Sequence, residues 1–413
     1  MNKLAIHGGN PVRSQPIVTT GRRFDEDELQ ELKEALDQQT LFYWSGEKVK
    51  VFRREFAELY GVKHCHMVSS GTAALHVATA AVGIKPGDEV ITSPITDQGT
   101  IIAILAQGGV PVFADVDPHH YAITAENVEK CITEKTKAII VVHLAGSPAD
   151  MESLLAVARR HGLKVIEDCA QSYLSYYQGK LVGTLGDVGC FSLNDYKHIS
   201  AGDGGMVVTN DDALAEFAGV FLDKGYRRDG SGRRPELLAF NYRPSELQGA
   251  VARAQLRKLP YICERRRTLG DRLSAALEGI PGVHPHQVLD GCSSSYWFYL
   301  GRTNPEVLGI TRDAFVEAVA AEGVPVTPGY IQRMVYEYPV LAEHRAYPGS
   351  PYPWDDLYGR RITYGPGLCP VAELVEKTSW RAPITEFMSE QDVDDIAEGI
   401  RKVADHFVRA GSF

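Results

Sequence analysis

The run Lys137-Ala138-Ile139-Ile140-Val141-Val142 is apolar from its second residue onward and shows no period-two alternation. A strand with one wet face alternates; a strand without alternation is covered on both faces. This segment therefore calls for a mostly parallel sheet with helices packed on each side. The flanking sequence agrees. Between about residues 60 and 210, apolar runs at Glu89–Thr92, Val110–Phe113, Leu163–Ile166, Val188–Ser192 and Gly205–Thr209 alternate with helical patterns. Those patterns open at Gly71 and end at Gly83, then recur near Gly99–Gln107 and Met151–His161. Beyond Asp211 helices dominate to about Ile280, with an alanine-rich stretch over Pro244–Leu259. The last third carries a strand at Tyr296–Gly301, helices at Arg312–Glu322 and Glu390–Val408, and a span at Val326–Trp354 rich in Pro, Gly and Tyr. That span reads as a folded loop near an active site. The expected organisation is α/β, with a large domain over residues 1–260 and a smaller α/β domain over 261–413.

Composition excludes several classes. A net charge of −10 with 43 basic residues argues against a nucleic-acid surface, and the clusters Arg227-Arg228 and Arg265-Arg266-Arg267 read as solvated charge. The opening residues MNKLAIHGGNPVRS hold only a short apolar run, well below a signal-peptide core, and no window reaches membrane-span length. Seven cysteines lie scattered without CxxC spacing, the pattern of reduced thiols in a cytoplasmic protein. His64 and His66 flank Cys65, but nothing nearby completes a metal ligand set.

Three separated segments carry candidate chemistry. Lys197 stands in FSLNDYKHISAGDGG, before a glycine-rich turn whose Gly202, Gly204 and Gly205 permit close approach of the backbone to a ligand. Asp168 follows an apolar strand, where doubly wound sheets present ligand-facing groups. Ser70-Gly71-Thr72 opens a helix, and a helix N-terminus offers amides to phosphate. An amine, a carboxylate and a phosphate cradle are the parts needed to hold pyridoxal phosphate. Gln171 adds a donor toward the cofactor's phenolic oxygen, and Ser192 adds a hydroxyl toward its phosphate. Each feature also has a plainer reading: a surface lysine before a hairpin, a turn-capping aspartate, an ordinary serine N-cap. Tyr330, Trp44 and the triplet Tyr296-Trp297-Phe298 offer aromatic walls for a polyol, although the triplet equally suits a core strand.

The chain resembles the DegT/DnrJ/EryC1/StrS family of sugar and cyclitol aminotransferases. The resemblance rests on SSGTAAL (69–75), PVFADVD (111–117), EDCAQ (167–171), FSLNDYKHISAGDGGMVVTND (191–211) and NYRPSELQGAVARAQL (241–256). It implies the fold-type-I architecture, with a mostly parallel seven-stranded sheet in the large domain. It implies pyridoxal phosphate attached to Lys197, its ring nitrogen on Asp168, Gln171 against the ring substituents, and Gly71, Thr72 and Ser192 at the phosphate. It also implies a homodimer in which Asn241 reaches the phosphate of the neighbouring subunit's cofactor. Related sugar dehydratases carry histidine at the reactive position. Here that position is Lys197, with His198 beside it, which favours transamination.

Two departures from the family pattern stand out. Asp97, in Pro94-Ile95-Thr96-Asp97-Gln98-Gly99-Thr100, replaces the aromatic residue that stacks on the pyridine ring. Either another side chain supplies the stacking or Asp97 touches cofactor or substrate directly. Asn194-Asp195-Tyr196 replaces a His- or Gln-containing triplet, placing Asn194 at the substrate. The resulting expectation is an aminotransferase carrying nitrogen from glutamate or glutamine to a keto-cyclitol or a keto-sugar, free or nucleotide-linked. Rival readings are a lyase or dehydratase acting on a sugar and a cofactor-binding regulator without turnover.

Overall fold

The computed structural model describes residues 3–230, 234–235, 237–354 and 362–410. Seven strands build the central sheet: β1 His64–Val68, β2 Glu89–Thr92, β3 Val110–Phe113, β4 Thr136–Val142, β5 Lys164–Asp168, β6 Val188–Ser192 and β7 Gly205–Thr209. Their spatial order is β1-β7-β6-β5-β4-β2-β3. β7 is antiparallel to β1 and β6, and the remaining pairings are parallel. In β4 only Lys137 is exposed, as its unbroken apolar run requires.

Helices α1 Glu26–Asp37, α2 Lys48–Tyr60, α3 Gly71–Ala81, α4 Gln98–Ala106, α5 Ala125–Cys131, α6 Met151–His161, α7 Asp212–Phe221 and α8 Glu246–Leu277 belong to this unit or border it. Ala73 through Ala80 of α3 are all buried, since that helix packs on β6, β7, α4 and α7. Its small residues allow this close approach. Ser245 and Gln248 form a reciprocal capping box that starts α8.

The boundary expected at residue 260 falls inside α8, which runs on through Pro260. Pro260 supplies no amide to the helix. Packing holds both halves in line: Leu256, Leu259, Ile262 and Cys263 join the large core, while Leu269, Leu273 and Leu277 join a second one. Leu4 and Ile17 from the N-terminal segment also pack in the second core. Conversely, Met334, Tyr336, Leu341, Trp354 and Cys369 pack in the first. The chain thus passes between the cores more than once.

The second core lies under a four-stranded antiparallel sheet, ordered Val283–His284, Tyr299–Thr303, Ser379–Ala382, Thr327–Pro328. The strand expected at Tyr296–Gly301 begins three residues later, at Tyr299. Tyr296 instead sits at φ +43° with its phenol donating to Asp271 Oδ1 at 2.8 Å, a turn conformation that precedes the strand.

The arginine clusters are not simply solvated. Arg266 is buried and pairs with Glu386 at 2.7 Å, and Arg228 donates to the buried Asp223 at 2.6 and 2.8 Å. All seven cysteines are free, five of them buried. Among the described residues no helix is long and apolar enough to cross a membrane.

Candidate active site

The carboxyl ends of the parallel strands gather the candidate residues, as open α/β sheets do. β5 ends on Asp168 and β6 on Ser192, and the segment linking β6 to β7 carries Lys197. α3 begins three residues after β1, and α4 begins six residues after β2, so both helices start at this same edge.

Lys197 is buried, and its Nζ lies 3.7 Å from the centroid of the Trp297 ring. Burial pushes the amine down to about 8 from the ordinary 10.5, against the opposing pull of the Asp168 and Asp97 charges. The indole Nε1 of Trp297 donates to the Tyr196 carbonyl at 2.6 Å, fixing the ring against the lysine segment. His198 faces the other way. It is fully buried, and its Nε2 donates to the Ser295 carbonyl at 3.0 Å.

Asp168 is also buried. Oδ2 accepts the Thr100 hydroxyl at 2.8 Å and Oδ1 accepts the Ala170 amide at 3.1 Å. Burial raises its pKa, and the Thr100 and Ala170 donors and the Lys197 charge pull it back only partly. Gln171 Oε1 accepts the Ala145 amide at 2.8 Å, and its Nε2 donates to the Tyr330 hydroxyl at 3.1 Å. Tyr330 stacks on Phe298 with centroids 5.2 Å apart. The Val326–Trp354 span therefore does reach the site.

A cradle suited to phosphate lies at the start of α3. Ser70 caps the helix by accepting the Ala73 amide at 3.0 Å, and among the described residues the Gly71 and Thr72 amides have no acceptor. A Cβ on Gly71 would sit 2.7 Å from Ser192 Cβ and 2.9 Å from its Oγ, so only glycine lets this hydroxyl approach the helix start. A Cβ on Gly99 would likewise meet Thr72 Oγ1 at 2.8 Å. Gly205 presses on chain rather than ligand. Its Cβ would fall 2.4 Å from the Ser70 carbonyl oxygen, so the close approach expected of this glycine is an internal one.

A cleft of about 640 Å³ opens beside Lys197, with Asp97, Asn194, Tyr196, Trp297, Phe298, Thr327 and Arg381 in its walls. Asp97 caps α4, accepting the Gly99 amide at 2.8 Å, and it is exposed to the cleft. Asn194 accepts the Tyr196 amide at 3.2 Å and donates to Asp203 at 3.4 Å. Trp44 and Asn241 are not in these walls. Trp44 lines a separate cleft of about 390 Å³ with Tyr43, Tyr226 and Arg228, and Asn241 is exposed in an isolated bridge with Asp223.

One group of metal-ligand types converges among the described residues: His143, Glu167 and Cys169. His143 Nδ1 accepts the Ala149 amide, so its Nε2 donates to Glu167 Oε2 at 3.0 Å. Glu167 also accepts the Gly183, Leu185 and Gly186 amides. The network is satisfied internally and braces the end of β5. Elsewhere, the free amides of α3 beside Ser192, the low-pKa amine and the buried carboxylate together fit the phosphate, aldehyde and ring nitrogen of pyridoxal phosphate.

Residues 22–401 match the DegT/DnrJ/EryC1/StrS aminotransferase family. The chain belongs to that family. It is 33% identical over 413 residues to a putative L-glutamine:3-amino-2,3-dideoxy-scyllo-inosose aminotransferase of Streptoalloteichus tenebrarius, spanning 97% of this chain and 98% of that protein. It is 38% identical over 316 residues to a GDP-perosamine synthase of Caulobacter vibrioides, spanning 76% and 84%. An aminotransferase structure from Psychrobacter cryohalolentis superposes with a TM-score of 0.82 at 28% identity, covering 95% of this chain and 99% of that one. The protein is an aminotransferase of the fold-type-I architecture.

Within this family member, sequence reading passed over three residues that the fold brings to the site. Arg23 donates through Nη2 to the Lys197 carbonyl at 2.7 Å and through Nη1 to the Asp195 carbonyl. No local signal marks an arginine so far from the lysine in sequence. Thr100 closes the motif that contains Asp97, and its spacing of four from Thr96 was the available clue. Arg381 sits in a segment with no recognisable pattern, whereas Trp297, offered as an aromatic wall, does line the cleft.

Proposed function

We propose that this aminotransferase moves an amino group from glutamine or glutamate to a keto-cyclitol or keto-sugar, with pyridoxal phosphate held covalently by Lys197. The observation that carries the reading is the placement of a buried, low-pKa amine and a buried carboxylate at one cleft, beside a helix start with free amides. When bound, the cofactor supplies a conjugated ring that accepts the electron pair released at the donor's α-carbon.

The remaining work belongs to the protein. Lys197 Nζ would hold the cofactor's aldehyde, and once free it is placed to take a proton from the donor α-carbon and, in the reverse direction, to give one to the acceptor carbon. An amine near the working pH is suited to both directions. Asp168 would hold a proton at the ring nitrogen, and Thr100 holds Asp168. The Gly71 and Thr72 amides with Ser192 would bind the phosphate. Trp297, Phe298 and Tyr330 form an apolar wall that excludes water and matches the face of a sugar or cyclitol ring.

Asn241, exposed outside the Lys197 cleft within one chain, would serve the site of a second subunit in a homodimer. The names of the inosose aminotransferase and perosamine synthase relatives support this acceptor class, and the near full-length match to the former favours a cyclitol. The test is spectroscopic. Purified holoenzyme should change its cofactor absorbance on addition of glutamine or glutamate, and Lys197→Ala should not respond. A wild type whose spectrum no amino acid alters would sink the reading. Paired assays with keto-cyclitols and nucleotide keto-sugars then separate the acceptors.

A further inference from the structure

We propose that Trp297 is a positioning residue whose indole face docks the free Lys197 ammonium between taking a proton and giving it up. The inference rests on the aminotransferase reading and adds a residue to the lysine's part in it. A lysine that trades protons with carbon is charged for part of each turnover, and this one is buried. A charge out of water needs a partner. Among the described residues Nζ has no hydrogen-bond acceptor and no ion pair; the group that meets it is the Trp297 ring, its centroid 3.7 Å away. An ammonium over an indole face is attracted by the ring quadrupole, and tryptophan holds it better than tyrosine or phenylalanine.

The other charged or titratable groups around the amine do not replace the ring. Asp168, at the end of β5, and Asp97, before α4, act on it through their charge and form no ion pair with it. Asp168 is bonded to Thr100 and Ala170, and Asp97 caps its helix. His198 donates to the Ser295 carbonyl, and Arg23 meets the lysine segment at backbone carbonyls. Tyr330 accepts from Gln171, and Arg381 donates to Thr327. A π face also suits the task. It holds the charge without an N–H···O bond that must break before a proton is handed on.

The chain keeps the ring in register with the lysine. The residues on both sides of Lys197 are bonded to the Trp297 segment: the Tyr196 carbonyl accepts the indole Nε1 at 2.6 Å, and His198 reaches the Ser295 carbonyl at 3.0 Å. The Trp297 amide in turn donates to the Ala145 carbonyl at 2.9 Å. Ala145 (φ +57°) and Tyr296 (φ +43°) are both non-glycine residues in the left-handed region. Such conformations persist where surrounding contacts fix them, and they gather at sites that clamp a group. Tyr330 meets the indole at 75°, with centroids 5.8 Å apart, and braces it from the small domain.

The experiment is competitive labelling of the cofactor-free chain with trace acetic anhydride, read at Lys197 by mass spectrometry across pH. The anhydride takes the neutral amine, so the curve reports the ammonium without cofactor or substrate. Tryptophan analogues with increasing ring fluorination are placed at position 297 by nonsense suppression; fluorine weakens the ring face and nearly preserves its shape. Each added fluorine should lower the labelling midpoint, because a weaker face favours the neutral amine. Trp297→Leu should lower it by about 0.5 to 1.5 pH units, the size expected of a desolvated cation–π contact, and Trp297→Phe by less. In holoenzyme the donor half-reaction, followed by stopped-flow absorbance, should slow along the fluorinated series while the melting temperature stays at that of wild type. If Trp297→Leu fails to fold, the fluorinated series carries the test, since it keeps the ring.

A midpoint indifferent to fluorination overturns the proposal. So does a midpoint that rises in Trp297→Leu, the result for a ring that only excludes water. A half-reaction rate unmoved by a series that does shift the labelling overturns the positioning role. A holoenzyme spectrum blind to every amino acid defeats the aminotransferase reading instead, and the labelling reports on Trp297 independently of it.

Discussion

The Thr100 hydroxyl donates to Asp168 Oδ2 at 2.8 Å, and this bond sets the polarity of the neighbouring pair. With its proton on Asp168, Thr100 can only accept from Thr96, whose hydroxyl lies 2.8 Å away. Two threonines on one turn thus form a directed chain that ends on the carboxylate. The chain favours the ionised acid where burial disfavours it.

Asp168→Asn should therefore fold normally, being isosteric, yet lose about 10²- to 10³-fold in kcat, the scale of removing one preorganised electrostatic partner. Thr100→Val removes the donor and should cost about 1–3 kcal/mol of stability. It should also shift the acid limb of the rate profile upward: Thr100 lowers the Asp168 pKa, so without it protonation sets in at higher pH. Thermal melts and pH–rate profiles of the two variants check these outcomes.

Cofactor reloading should follow the Lys197 amine. Only the neutral amine attacks an aldehyde, and its fraction grows as pH rises through its pKa. In cofactor-free enzyme the rate of covalent attachment should climb with pH through about 8 and then level. Stopped-flow mixing with pyridoxal phosphate gives the curve. A rise that continues toward 10.5 would show an unperturbed lysine.

Gly71→Ala drives a methyl group into Ser192, whose Cβ and Oγ lie 2.7 and 2.9 Å from it. Overpacking of this kind costs about 1–3 kcal/mol. Adding Ser192→Gly should restore the melting temperature while cofactor affinity stays low, because the hydroxyl is gone. Recovery of both properties in the double variant would remove Ser192 from the phosphate site.

Arg23→Gln releases the carbonyls of Asp195 and Lys197 from their shared donor. The segment around Lys197 should exchange its amide hydrogens faster, and kcat should fall with covalent attachment of cofactor retained. Hydrogen-exchange mass spectrometry over residues 194–200 reads the first effect directly. Unchanged exchange there would leave Arg23 with no part in holding the lysine segment.

Much of the fold was legible because the signals are local. The unbroken apolar run at 137–142 calls for a doubly covered strand, and β6 and β7 appear at the residues their patterns mark. Lys197, Asp168 and the Ser70-Gly71-Thr72 turn were legible for the same reason: each sits at a strand end or helix start recognisable within a few residues. The continuity of α8 across residue 260 was not, because Pro260 is a local stop signal that packing into two cores overrides. The arginine clusters misled likewise. Their partners Asp223 and Glu386 are brought to them by the fold.

The sequence by itself determined the layered architecture and the family, since periodicity and motif spacing depend on residues close in the chain. It also marked the lysine, the carboxylate and the helix start as candidate parts of the site. Tertiary structure decided what surrounds them. Burial lowers the Lys197 pKa, Thr96 and Thr100 order the protons at Asp168, and Trp297, Tyr330 and Arg381 enter the site from beyond residue 290. Desolvation and long-range contact exist only once distant segments are packed together, and no local pattern encodes them.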